Sequence, residues 1–326
     1  MIRKLLKRYG VRIGAPALVM ASTLLSVPLV RAADIGPLVS VAWLKQHAND
    51  PHIAILDIRS DRKDYLERGH IPQARLWDKS KTRNLVDLKG IGQVMPTAKG
   101  VADLLGKLGV KSGDALVLTN NGRSPQDVTF ATRAYWALRY YGVNDVAILD
   151  GGTGKWASDG LALSHDAAPT PVATTLQQGV PSVGAVSAIV GVNQAYILLD
   201  KQKTEFIDAR PTKVFLGQDK PPFDPKYGHI PGAMSWPASE LFTRHPSKIK
   251  GFQEYFTFKN RGEIESSARA HRVNLNRAAI VYCDTGHLSS GVFFAWREIL
   301  KKDNLKFFPG SIRAWGQQNL PTAMGK

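Results

Sequence analysis

The chain has 326 residues, 44% of them hydrophobic and 21% charged, with a net charge of +16 and a single cysteine. That composition excludes a coiled coil, a collagen repeat and a disordered acidic tail, and the length suits two domains better than one small core. One cysteine excludes an intrachain disulfide, and the scattered Lys and Arg residues, not interleaved with aromatics, read as a solvated surface rather than a nucleic-acid footprint.

The N-terminus reads as an export signal. Arg3, Lys4, Lys7, Arg8 and Arg12 precede an apolar run from Ile13 to Val30, and Val30-Arg31-Ala32 offers a cleavage site. Cleavage is expected after Ala32, with Ala33 as a near alternative, so residues 1–32 are assigned as a signal peptide. The competing reading is an uncleaved anchor, which Gly14, Pro16 and Pro28 weaken. No second apolar run approaches membrane length, so the exported protein is expected to be soluble and periplasmic. Residues 1–32 hold six basic residues and no acid, leaving the remainder near +10, a balance that favours anionic small molecules or acidic partners.

Further along, a short apolar strand ends in an acid and an arginine, Ile53–Arg59 (IAILDIR). A Gly-His-Ile-Pro turn follows at Gly69–Pro72, then a second apolar strand at Ala115–Thr119 and a helix from Phe130. The stretch DGGTGKW closes the series at Asp150–Trp156. The series then recurs: Thr204–Arg210 (TEFIDAR), Gly228–Pro231, Ala279–Cys283 (AIVYC), a helix from Val292, and Pro309–Trp315 (PGSIRAW). Two of these motif pairs share one offset, 159 residues, which marks a duplicated domain. Short apolar strands alternating with helices predict an α/β fold, each copy a mainly parallel sheet flanked by helices. The assigned domains are 37–163 and 189–326, joined by an Ala/Pro/Thr-rich linker over 164–188. The second copy also carries a longer insertion, Pro211–Tyr227.

Cys283 is the residue around which chemistry can be built. A thiol where a strand passes into a helix meets loop N–H groups and the positive end of the helix, which favour the reactive thiolate. Gly286 permits tight curvature, and Thr285, His287, Ser289 and Ser290 offer hydrogen bonds. The competing reading is a small buried hydrophobe closing the strand. Aligning the strands sets Thr119 opposite Cys283 and Gly122 opposite Gly286, so the scaffold exists without the thiol. Asp284 opposes both thiol ionisation and anion binding. His70 and His229 read as turn-stabilising, and Asp57/Arg59 and Asp208/Arg210 as paired charges at strand ends. One cysteine and no familiar histidine spacing argue against a metal site. No P-loop, dinucleotide fingerprint or Gly-x-Ser-x-Gly elbow is present, so no cofactor is expected.

The ordered set LDIR, GHIPQA and LDGGTGKW, followed by IDAR, GHIPGA, YCDTGHLSS and PGSIRAW, resembles the tandem-domain rhodanese family of thiosulfate and 3-mercaptopyruvate sulfurtransferases. The resemblance covers nearly everything from Pro37 onward. It implies two rhodanese-like domains, an inactive first and a catalytic second. It also implies that Cys283 attacks a sulfane sulfur to form a persulfide, which is passed to a thiol, to cyanide or to a protein acceptor. By the same likeness the loop Asp284, Thr285, Gly286, His287, Leu288 and Ser289 holds the sulfur, with Arg210 and Lys213 as candidate substrate-binding cations. The thiosulfate enzymes carry Arg at the position of Asp284, a polar residue at that of Leu288 and Arg at that of Val214, so thiosulfate preference does not follow. An alternative is a non-catalytic persulfide carrier or docking module. A phosphatase of the Cys-x5-Arg type would need arginine where Ser289 stands.

Overall fold

The computed structural model describes residues 35–59, 62–78, 86–87, 93–95, 97–167, 171–201 and 203–325. The proposed signal segment lies outside them. Among the described residues no helix is long and apolar enough to cross a membrane.

In chain order the first strands are β1 (Leu38–Val39), β2 (Ile53–Arg59) and β3 (Arg75–Asp78), then the two-stranded antiparallel pair β4 (Val86–Asp87) and β5 (Gln93–Met95). β1, β2 and β3 join β6 (Ala115–Thr119) and β7 (Val146–Leu149) in a five-stranded sheet of order β1-β7-β6-β2-β3, every pair parallel. The second copy supplies β8 (Glu205–Asp208), β9 (Met234–Ser235), the antiparallel hairpin β10 (Phe242–Ile249) and β11 (Phe252–Phe258), β12 (Ala279–Tyr282) and β13 (Leu305–Phe307). Its parallel sheet runs β13-β12-β8-β9. Both sheets are covered by helices, so their central strands are buried along their length, as parallel strands require. The apolar core is continuous across the two copies, from Leu56 and Trp77 through Phe130 and Trp136 to Phe294 and Phe307.

The duplication extends to single contacts. Bridges join His70 to Ser164 and His229 to Ala323. His70 stacks on Tyr65 and His229 on Phe215, each with ring centroids 3.8 Å apart. Both imidazoles bond backbone carbonyls, Ile71 and Asp166 for His70 and Phe215 for His229, so both hold turns. Arg59 donates to both carboxylate oxygens of Asp57 at 2.9 Å and to Gly69 O at 2.8 Å. Arg210 repeats this on Asp208, at 2.9 and 2.6 Å, and on Gly228 O at 2.7 Å. Each buried arginine therefore ties its central strand to the start of the Gly-His-Ile-Pro turn.

Two helix starts are corrected. The first helix begins at Pro125, five residues before Phe130, because the Ser124 hydroxyl accepts the Asp127 N–H and proline suits the first turn. The second begins at His287 rather than Val292 and continues into a π-helical turn, Ala295–Ile299. The end of the assigned linker is a short helix, Val183–Ser187, capped by Ser182, and Thr174 bonds the first copy through Gly106 O.

Removing one member of a buried ion pair strands the other charge, at about 3–5 kcal/mol. Arg59→Met and Arg210→Met are each expected to lower stability by that order in urea unfolding. Losses below about 1 kcal/mol, the range of exposed pairs, would show that these arginines do not hold the turns.

Candidate active site

Cys283 follows the last residue of β12 and is 1% exposed. Its Sγ accepts the Gly286 N–H at 3.1 Å and the Ser289 hydroxyl at 3.3 Å. The backbone amides of Thr285 and Ser289 also favour the sulfur anion. Gly286 has φ +86°, a left-handed conformation that turns the chain into the helix and aims its N–H inward. The thiol thus sits in a ring of donors at a helix N-terminus, a geometry that stabilises a sulfur anion. Burial nevertheless raises the thiol pKa, and Asp284 adds to the rise, against the Ser289 hydroxyl and the Ser289 and Thr285 amides.

A second support lies behind the sulfur. The Cys283 N–H donates to Ser311 Oγ at 3.1 Å, and that hydroxyl donates to Phe308 O at 2.9 Å. Ser311 holds φ +54°, rare for a residue with a side chain, and the corresponding Gly152 holds φ +58°. The serine keeps a glycine-like backbone while adding an acceptor for the nucleophile's own amide.

Register corrects the internal alignment. Asp57 pairs with Thr119, whereas Asp208 pairs with Tyr282, so Asn120 and not Thr119 stands at the station of Cys283. The backbone agrees: Thr153 N–H donates to Asn120 O as Ile312 N–H donates to Cys283 O. Asn120 Oδ1 accepts the Gly122 N–H at 2.7 Å, the role that Sγ plays toward Gly286. A carboxamide therefore closes the first loop where the second has the thiol.

The same registration sets Asn121 opposite Asp284, since their carbonyls accept from Gly154 and Arg313. Asn121 Nδ2 donates to Asp64 at 2.7 Å, and Asp64 lies 3.6 Å from Arg59. In the second copy Asp284 faces Asp224, which lies 3.5 Å from Arg210, and Asp284 itself lies 3.7 Å from that guanidinium. Two carboxyls can replace an amide and a carboxylate only if one carries a proton. Burial, the hydrogen bond to Asp224 and the Asp224 charge push Asp284 up to about 8. The Asp224/Asp284 pair therefore holds a proton well above the usual carboxylate range, which weakens the anion beside the sulfur.

The other expected site residues divide. Thr285, Gly286 and Ser289 meet the sulfur, while His287 and Leu288 open the helix, His287 edge-on to Phe130 at 4.8 Å. Arg210 is fully buried; although burial alone would lower its pKa, Asp208 outweighs this and raises it. It is committed to Asp208 and Gly228 and is not presented to a substrate. Lys213 is exposed on the short helix Thr212–Phe215 and forms no ion pair among the described residues. Val214 is buried. Sequence reasoning missed Ser311, Asp224 and Arg133, whose Nη1 reaches Gly286 O at 3.3 Å from the first copy. Ser311 carried a signal, a serine opposite a glycine in the repeat; Asp224 and Arg133 carried none.

The structure can be set beside known proteins. Residues 40–159 and 192–318 each match the family model of the Rhodanese-like domain. The 3-mercaptopyruvate sulfurtransferase of Escherichia coli K12 is 28% identical over 288 residues, spanning 85% of this chain and 94% of that protein. A putative thiosulfate sulfurtransferase of Synechococcus elongatus is 26% identical over 301 residues, spanning 88% and 85%. The crystal structure of SseA from Escherichia coli, described as a 3-mercaptopyruvate sulfotransferase with the rhodanese fold, superposes with a TM-score of 0.67 at 26% identity. It covers 85% of this chain and 99% of that one.

A carboxyl that keeps its proton up to about pH 8 when folded, but loses it near 3.8 when unfolded, destabilises the fold progressively across that window. Asp284→Asn, which installs the first copy's amide, is therefore expected to gain thermal stability over the wild type as pH rises from 4 to 8. Parallel melting-temperature curves for the two proteins would contradict a protonated Asp284.

Proposed function

The chain belongs to the Rhodanese-like domain family, with two copies in tandem, and on that premise we propose that it is a sulfurtransferase whose nucleophile is Cys283. The observation that carries this reading is the pair of donors converging on one sulfur, Gly286 N–H and Ser289 Oγ, with the Thr285 and Ser289 amides also favouring its anion. Such a ring stabilises a thiolate and, with one more sulfur, a persulfide anion. The first copy closes the same loop with Asn120, so the fold itself does not require a thiol.

In the first half-reaction the Cys283 thiolate attacks the outer, sulfane sulfur of the donor. The new S–S bond forms as the donor's bond to that sulfur breaks, and its electron pair leaves with the donor remnant. Sulfite leaves from thiosulfate, the enolate of pyruvate from mercaptopyruvate, and a thiolate from a persulfide. In the second half, a thiol or cyanide attacks the outer sulfur and releases the Cys283 thiolate, so the cycle has no net redox change.

The charges near the loop bear on the donor. Asp284 and Asp224 occupy the neighbourhood of Arg210, and Val214 supplies no cation. This disfavours dianionic thiosulfate relative to a singly charged persulfide or mercaptopyruvate. The basic and then apolar N-terminal segment supports a periplasmic setting, with small-molecule donors and acceptors. A second reading, a persulfide carrier without turnover, is favoured by one observation, the near-complete burial of the thiol.

Incubation with thiosulfate, mercaptopyruvate and a low-molecular-weight persulfide in turn, followed by intact-mass measurement, tests both. One donor is expected to add about 32 Da, one sulfur, to the wild type and nothing to Cys283→Ala. Ser289→Ala should slow loading on the order of tenfold, the worth of a hydrogen bond to a charged group, about 1.5 kcal/mol. If no donor loads Cys283 the sulfurtransferase reading fails; loading that no acceptor discharges selects the carrier.

A further inference from the structure

The helix Pro125–Tyr140 belongs to the copy without the thiol, yet one of its side chains ends at the other copy's loop. Arg133 is buried, and its Nη1 donates to Gly286 O at 3.3 Å. The N–H of the same Gly286 points at Cys283 Sγ from 3.1 Å. A Cβ at Gly286 would lie 2.5 Å from Arg133 Nη1, so glycine there permits the approach as well as the turn. The guanidinium is flanked by Trp136, 4.9 Å from its ring centroid, and Phe307, at 5.6 Å. The two helices are locked beside it by Thr132 Oγ1 and Ser290 Oγ, 2.8 Å apart, and by Ser290 Oγ donating to Thr129 O at 3.2 Å.

The charged and titratable groups facing the sulfur are Asp284 and His287 of its own loop, Arg133 from the opposite copy and, beyond Asp284, Arg210, Asp208 and Asp224. Arg210 is held by Asp208, and burial and the neighbouring Asp224 draw the Asp284 carboxyl toward its neutral form. Arg133 is the cation that touches the loop through Gly286.

We propose that Arg133 is a positioning residue for Cys283: the copy that lacks the thiol supplies a guanidinium that orients the Gly286 amide onto the sulfur and offsets its negative charge as thiolate and persulfide. The inference rests on Cys283 being the nucleophile. Burial lowers the Arg133 pKa to about 10, and the Cys283 sulfur acts against that fall, as a facing negative charge would. The first copy then completes the site, and its helix is as much a part of the centre as the loop.

The chain's single cysteine makes the test direct, because thiolate absorbance reports on Cys283 alone. The pH titration of that absorbance is measured on the full-length chain, each variant as a difference from the same chain with Cys283→Ala. Arg133→Met is expected to raise the thiol midpoint by about one pH unit, a thiolate fraction on the order of tenfold lower at a given pH below it. Arg133→Lys should stay near the wild type. The Arg133→Met shift should persist in an Asp284→Asn background, which removes the other group titrating in that window. A midpoint unchanged in Arg133→Met, or shifted equally by Met and Lys, overturns the proposal. If Arg133→Met loses its cooperative unfolding transition, Arg133→Gln takes its place in the same comparison. The readout needs no sulfur donor. A shifted midpoint in a protein that accepts no sulfur therefore keeps the role of Arg133 and removes sulfur transfer, and the converse result separates them in the other direction.

Discussion

An arginine buried at the mouth of a parallel sheet is tolerable only when its charge and its donors are all engaged, and both copies meet that demand in the same way. The guanidinium closes on the aspartate two residues before it and on the carbonyl that opens the Gly-His-Ile-Pro turn. This fixes the end of the central strand, and the adjacent strand's loop is built against it. In the second copy that loop holds Cys283. The site's electrostatics follow from the arrangement: an arginine committed to the fold is not offered to a substrate, and the carboxyls around it must settle their protons among themselves.

Against this shared frame the two copies differ at a few stations. Asn120 becomes Cys283, Asn121 becomes Asp284 and Gly152 becomes Ser311. Each exchange keeps a hydrogen bond and changes what supplies it. A carboxamide oxygen gives way to a sulfur, an amide donor to a carboxyl that shares its site with Asp224, and an empty glycine position to a hydroxyl that takes the nucleophile's own N–H. Activity at the second station is therefore a set of coordinated exchanges around a conserved geometry.

Much of the fold was legible because it repeats. The strands ending in Asp-x-Arg, the paired turns and the common offset mark two sheets, and their apolar runs show that both faces are covered. Cys283 stood out as the chain's only thiol and lay where the loop and helix start could be read. What stayed hidden depends on distance in space. Arg133 sits in a helix whose pattern reads as core, and only the packing of that helix on His287–Phe294 brings it to Gly286. Asp224 lies in an insertion without periodicity. The choice of Thr119 over Asn120 was a one-residue error that strand pairing resolves and a loop one residue shorter conceals. The hairpin Phe242–Phe258 carried no recognised turn signal.

That hairpin reaches back over the first copy. Phe256 N–H donates to Gly122 O at 2.9 Å, and Phe258 N–H donates to Asp150 Oδ1 at 2.9 Å, while Arg133 crosses the other way to Gly286. Each copy thus covers the loop of the other. Deleting the half without a thiol would therefore unroof the loop that holds Cys283, so the first copy serves the site as architecture.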